Sequence, residues 1–134
     1  MKLTNIFFSL LILTGLSSCE DKDILPEEQV VCTEEFRTVA VRFKNAAGNY
    51  MAVSNFKAVV ERTGVTLDTN NELGSFYYTV ASDLDKKKLS VAGENVNVTA
   101  TNPSNGNAIT AKFKIAGDAC HISKISGPEE ITVN

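Results

Sequence analysis

The sequence contains no tryptophan, a single histidine and three cysteines among its 134 residues. A zinc site needs three or four clustered nitrogen and sulfur donors, and too few remain if two of the cysteines pair. A glycine-x-serine-x-glycine elbow, which would favour a serine hydrolase, is also missing. After residue 16, no apolar run approaches the roughly 20 residues needed to span a membrane. These absences predict a protein without a cofactor, a bound metal or a transmembrane helix.

The N-terminus is the most apolar part of the chain. Lys2 precedes an apolar run from Ile6 to Leu16, a pattern typical of a secretory signal peptide. The exit, Leu16-Ser17-Ser18-Cys19, resembles the lipobox of bacterial lipoproteins. That resemblance implies that residues 1–18 are removed and that Cys19 carries acyl chains, of which two or more give stable anchoring. The alternative is an ordinary signal peptide with a cysteine nearby.

Residues 19–31 form an acidic segment after this cysteine. Glu20, Asp21 and Asp23 resemble the surface-export signal of lipoproteins in the Bacteroidota, which implies display on the outer face of the outer membrane. An anchor that faces the periplasm is the alternative. The segment has little apolar surface, so we also expect a disordered, solvated tether.

The charge balance bears on possible partners. The chain carries 13 basic and 16 acidic residues, a formal net charge of −3. Nucleic-acid binding needs a concentrated basic face, so we expect no nucleic-acid partner. The expected contacts are the membrane, through the lipid, and a glycan or an outer-membrane protein. Residues 32–134 are enough for one domain of ordinary size.

The cysteine count becomes even once Cys19 is assigned to lipid. Cys32 and Cys120 then remain as a pair in an oxidising compartment, which favours a disulfide between the two ends of the domain. Two separate buried thiols are the alternative.

Period-two alternation of apolar and polar residues dominates this domain. Because one face of each such segment enters a core and the other meets water, the pattern predicts antiparallel strands. Alternating segments cover residues 38–44, 56–61, 75–80, 96–101 and 109–115, and shorter strands are expected at 88–91, 121–125 and 131–133. The segments 96–101 and 108–115 bracket a turn-rich loop and predict a hairpin. The expected fold is all-β, an antiparallel sandwich of about seven short strands.

A family resemblance covers residues 39–80. Gly48, the strand Phe56–Val60, Thr63-Gly64 and the run Gly74–Val80 resemble carboxypeptidase-regulatory-like and related transthyretin-like or immunoglobulin-like modules. The proline usual after the first glycine is replaced here by Asn49. The resemblance implies a β-sandwich module. The two ends of the domain, around Cys32 and from residue 119 to 131, are similar to small Bacteroidota lipoproteins without known activity.

Two features are candidates for chemistry. Lys86, Lys87 and Lys88 could form a loop that contacts an anionic glycan or lipid headgroup, or a solvated loop partly neutralised by Asp83 and Asp85. His121 could serve a small hydrolase or simply occupy a strand.

Three functional hypotheses follow. A well-patterned core without a reactive cluster favours a non-catalytic, lipid-anchored binding or accessory module. The alternatives are a structural, self-assembling envelope protein, whose edge strands would pair, and a small hydrolase that uses His121.

Overall fold

A computed structural model describes residues 30–69 and 76–134. Seven strands and one short 3₁₀ helix follow one another along these residues. The strands are β1 Thr38–Asn45, β2 Ser54–Val60, β3 Tyr77–Ser82, β4 Glu94–Thr101, β5 Ala108–Gly117, β6 Ile122–Ser126 and β7 Glu130–Val133, and the helix, η1, is Asp83–Lys88.

The strands form two packed sheets, which confirms the predicted sandwich. One sheet has the order β3-β1-β7 and the other the order β2-β4-β5-β6. The predicted hairpin is present as β4 and β5, in register from Glu94 opposite Ile115 to Thr101 opposite Ala108. One pair departs from antiparallel geometry, because β1 and β7 run parallel. The order also differs from the constant-type immunoglobulin sandwich, in which the first, second, fifth and fourth strands share a sheet.

The core lies between the sheets and follows the alternation of the sequence. Its largest fully buried apolar side chains are Phe43, Phe113, Ile115, Ile122, Val41, Val60, Val80, Val96 and Val98. An aromatic cluster closes one side of it. The ring centroid of Tyr78 lies 5.3 Å from that of Phe43 and 5.1 Å from that of Phe56, and the Tyr78 hydroxyl accepts a hydrogen bond from the Val53 amide at 2.9 Å.

Strand β3 differs from the expected alternation. The alternation over residues 75–80 predicts that Phe76 faces the core. In the structure, Phe76 precedes the strand with a φ of 63° and is 48% exposed. Further along, consecutive residues from Thr79 to Ser82 are all buried. The pairing of β1 with β3 shifts register between Val39 and Ala40, and such an irregularity breaks strict alternation. Residue 75, the first of the predicted segment, lies outside the described residues.

The strand predicted at residues 88–91 is wrong. Lys88 ends η1 instead, and residues 91 and 92 form a turn before β4. The side chain of Ser82 accepts a hydrogen bond from the Leu84 amide, and the Ser82 amide donates one to the carboxylate of Asp85. These reciprocal bonds form a capping box. Among the described residues, no helix has the length and apolar character needed to cross a membrane.

The predicted disulfide is confirmed. Cys32 and Cys120 are bonded, with their Cα atoms 5.2 Å apart and 88 positions apart in sequence. The bond ties the segment that enters β1 to the turn that enters β6, so the N-terminal end of the domain is fixed to both sheets.

We expect the double variant C32S/C120S to lose about 4 kcal/mol of unfolding free energy, since a loop of this length is released in the unfolded chain. Denaturant unfolding of the oxidised protein and the variant measures the difference. Adding reductant to the wild type should reproduce it, whereas adding reductant to the variant should change nothing. Equal midpoints for the oxidised wild type and the variant would contradict the prediction.

Candidate functional site

The lipidation and export residues predicted from the sequence lie outside the described residues. These are Cys19, Glu20, Asp21 and Asp23. Their roles stay predictions.

The three lysines predicted as a ligand-contact loop lie in η1. A 3₁₀ helix has three residues per turn, so three consecutive side chains point in three directions. Lys86 donates to the carbonyl oxygen of Cys120 at 3.1 Å, and Lys88 pairs with the fully buried carboxylate of Asp85 at 2.8 Å. Lys87 is left exposed. Two of the three ammonium groups therefore make contacts within the domain, which weakens the interpretation of the run as one cationic patch.

His121 lies at the centre of a hydrogen-bonded cluster beside the disulfide. Its Nδ1 is 2.8 Å from Oδ2 of Asp83, and its Nε2 is 2.9 Å from Oγ1 of Thr33. The backbone amide of His121 donates to Asp118 at 2.7 Å. The order hydroxyl, imidazole, carboxylate is that of hydroxyl-nucleophile catalysts. Thr33, His121 and Asp83 line an open cavity of about 510 Å³. Their arrangement is the observation that favours a hydrolase.

Asp83 uses both carboxylate oxygens within the fold. Oδ2 also accepts the Arg37 amide at 2.9 Å, and Oδ1 accepts the Ile122 amide at 2.8 Å. Burial alone would raise the pKa of the Asp83 carboxyl, but hydrogen bonds from Arg37, His121 and Ile122 outweigh it and hold that pKa below its ordinary value. The carboxylate therefore joins the entrance of β1, the start of β6 and His121, which is a structural task.

A second cluster lies on the outer face of the three-stranded sheet. The guanidinium carbon of Arg42 lies over two tyrosine rings, 4.2 Å from the centroid of Tyr50 and 4.6 Å from that of Tyr77. Glu130 accepts hydrogen bonds from Arg42 and from the Tyr50 hydroxyl, both at 2.8 Å. Lys44 forms an ion pair with the other oxygen of Glu130. We call Arg42, Lys44, Tyr50, Tyr77 and Glu130 the tyrosine face.

The charges of the tyrosine face are fixed by their contacts. Hydrogen bonds from Lys44 and then Tyr50 hold the pKa of the Glu130 carboxyl below its ordinary value. The hydrogen bond to Glu130 raises the pKa of Lys44 in turn. Lys44 and Glu130 therefore both stay charged around neutral pH.

Strand pairing assembles this face. Arg42 is opposite Tyr77 across the antiparallel β1–β3 pair and beside Glu130 in the parallel β1–β7 pair. Tyr50 reaches the same face through a bridge to Lys44 after the turn that follows β1. The alternation of β3 predicts that Tyr77 faces outward, but the sequence carries no signal that brings Tyr50 and Glu130 beside it.

No grouping of three or more histidine, cysteine, aspartate or glutamate side chains suited to a metal occurs in residues 30–69 and 76–134. Asp83 and Asp85 illustrate the reason. Asp83 faces His121, whereas Asp85 accepts the amides of Asp68 and Ser82 and pairs with Lys88.

Comparisons of the chain with protein-family models, curated protein sequences and solved structures found no match. The fold and the site therefore assign the protein to a structural class and not to a family. The protein is a small two-sheet β-sandwich whose N-terminal end is fixed by a disulfide and whose three-stranded sheet bears an aromatic and cationic face.

We expect the variant D83N to be less stable than the wild type by about 1–3 kcal/mol at neutral pH, because it removes the charge of a partly buried acceptor of three hydrogen bonds. A carboxyl whose pKa is lowered on folding contributes stability above its unfolded pKa of about 3.9, and loses it as the pH falls through the folded pKa. The difference between the two proteins should therefore shrink below about pH 4. Thermal unfolding from pH 3 to pH 7 measures it, with the exposed Asp68→Asn as the control. A constant difference across this range would contradict the role of Asp83.

Proposed function

We propose that this protein is a non-catalytic, lipid-anchored envelope lipoprotein whose β-sandwich binds a glycan through the tyrosine face. The observation that carries the proposal is the packing of the Arg42 guanidinium over the rings of Tyr50 and Tyr77. Tyr50 is 38% exposed and Tyr77 is 39% exposed. Grouped aromatic rings that stay exposed to water are typical of interaction sites. Such rings can stack on the apolar C–H face of a sugar, while their hydroxyl groups meet its polar edge.

Rigidity supports the same proposal. The guanidinium and Glu130 hold the Tyr50 ring in place, and the phenylalanine and tyrosine cluster of the core packs beneath the same strands. A ligand that meets side chains already ordered loses less conformational entropy on binding. The face therefore has the preorganisation expected of a binding surface.

Two other functions compete with this one. A self-assembling structural protein would pair its edge strands, which in the described residues are β3, β7, β2 and β6. The outer edge of β2 is partly covered, because Leu67 donates to the carbonyl oxygen of Ala58 and Thr66 bridges to Val59. A hydrolase would use Thr33 and His121, but it would also need preorganised donors for an oxyanion.

Binding to immobilised polysaccharides tests the proposed function. The mature lipidated protein, held in liposomes, is exposed to dextran, mannan and polygalacturonate. We expect binding to at least one of them, and we expect the variant Y50A/Y77A to bind it about tenfold more weakly or worse, as truncated aromatic contacts at binding surfaces do.

The matched control is Phe36→Ala, which removes an exposed aromatic ring at the other end of β1. This variant should bind like the wild type, and circular dichroism should show that all three proteins are folded. Unchanged binding by the tyrosine variant, or no binding by the wild type, would overturn the glycan-binding proposal.

We also propose that the domain is displayed on the cell surface, on the basis of the acidic residues after Cys19. Replacing Glu20, Asp21 and Asp23 with alanine should leave lipidation intact but remove the domain from the reach of protease added to whole cells. Membrane fractionation and protease shaving measure the two properties separately. A variant that is still shaved from whole cells would disprove the export signal and leave the anchor in place.

A further inference from the structure

We infer that the glycan bound by the tyrosine face is an acidic polysaccharide, an inference that rests on the proposed function and names its ligand class. The first support is charge. Arg42 and Lys44 share the single carboxylate of Glu130. The neighbouring Glu129 is paired with Lys124 at 2.8 Å. The face therefore keeps one positive charge, in a chain whose formal net charge is −3.

The second support is the way in which the guanidinium is held. The guanidinium carbon of Arg42 lies over both tyrosine rings, within 5 Å of each centroid, and such cation–π contacts leave its N–H groups available as donors to a ligand. Within the described part of the chain, the guanidinium of Arg42 donates a hydrogen bond from Nη2 to Glu130. The remaining edge donors suit a planar carboxylate or a sulfate, which guanidinium groups bind through paired hydrogen bonds. Lys44 adds a point charge beside them.

The third support is the shape of the surface. The tyrosine face lies on a sheet, and both ring centroids lie within 5 Å of the same guanidinium carbon. A flat surface with one spare charge holds a single small anion weakly, because water screens exposed pairs. A polymer repeats the same acidic sugar and can engage many anchored copies at once, and such multivalency raises the overall affinity without new contacts. This combination favours a polysaccharide over a free anion.

The test compares two polymers with the same sugar backbone, one with free carboxylates and one with uncharged methyl esters. The mature lipidated protein in liposomes is titrated with polygalacturonate and with the same polymer after complete methyl esterification, which keeps the sugars and removes the negative charges. Chondroitin sulfate serves as a second acidic probe. We expect binding to polygalacturonate or chondroitin sulfate to be at least about tenfold tighter than binding to the esterified polymer, as the loss of a charged hydrogen-bond partner implies. The binding should weaken as salt is added.

The variant Lys44→Gln should lose most of this preference for the acidic polymer, while Arg42→Lys should weaken it by removing the stacked planar fork. The matched control is Lys57→Gln, which removes a lysine from β2, at the edge of the other sheet. This control should bind like the wild type.

The outcomes separate the inference from the proposed function. Equal binding of the charged and esterified polymers that is lost in Y50A/Y77A would overturn the acidic ligand and leave the glycan-binding face in place. Binding that survives in Y50A/Y77A would overturn both. Binding of neither acidic probe would overturn the acidic ligand, and the neutral polysaccharides would then decide the proposed function.

Discussion

The relative position of the two sheets depends on the hydrogen bonds that the carboxylate of Asp83 accepts. The carboxylate accepts hydrogen bonds from the amides of Arg37 and Ile122 and from the imidazole of His121, and so joins the entrance of β1 to the start of β6. Those strands belong to different sheets. The disulfide between Cys32 and Cys120 lies beside this junction and closes it covalently. Withdrawing a carboxylate even partly from water is costly unless its oxygens accept other hydrogen bonds, and here three donors supply them. The junction therefore fixes the relative position of the two sheets at the end where the chain enters the domain.

Strand pairing within the three-stranded sheet determines the tyrosine face at the other end of β1. Because β1 is the central strand of its sheet, Arg42 has neighbours on both sides, Tyr77 from the antiparallel partner and Glu130 from the parallel one. The parallel pair is possible because β7 arrives at the end of the chain, after β4, β5 and β6 have completed the opposite sheet. The face thus combines residues that are up to 88 positions apart in sequence, such as Arg42 and Glu130. A shift of β7 by one residue would turn Glu130 toward the core and leave the guanidinium without its carboxylate.

Sequence reasoning predicted the sandwich and most strands because alternation is a local signal that a half-buried sheet amplifies. It also predicted the disulfide, since counting cysteines needs no geometry. It missed η1, although Ser82 and Asp85 have the spacing of a capping box and could have revealed it. It could not predict the tyrosine face, because strand pairing depends on packing across the whole core, and the sequence of a single strand does not identify its partners. Only the outward direction of Tyr77 was within reach. The lysine run attracted attention as a sequence motif, yet helix geometry directs its members apart.

The two ends of the domain have opposite characters, and this bears on how an anchored protein would work. At the entry end, the polar groups of Asp83 and Asp85 are satisfied by the fold itself, and the segment before β1 is fixed there by the disulfide. At the far end of β1, aromatic and cationic groups are held rigid but remain half-exposed. In the proposed anchored protein, a ligand that pulls on the tyrosine face would transmit force along β1, which is bonded along both edges, to the end of the domain that the disulfide closes. Strand pairing on both sides of β1 and the covalent closure at its entrance would resist that load together, so the proposed binding of a large polymer would not require a larger domain.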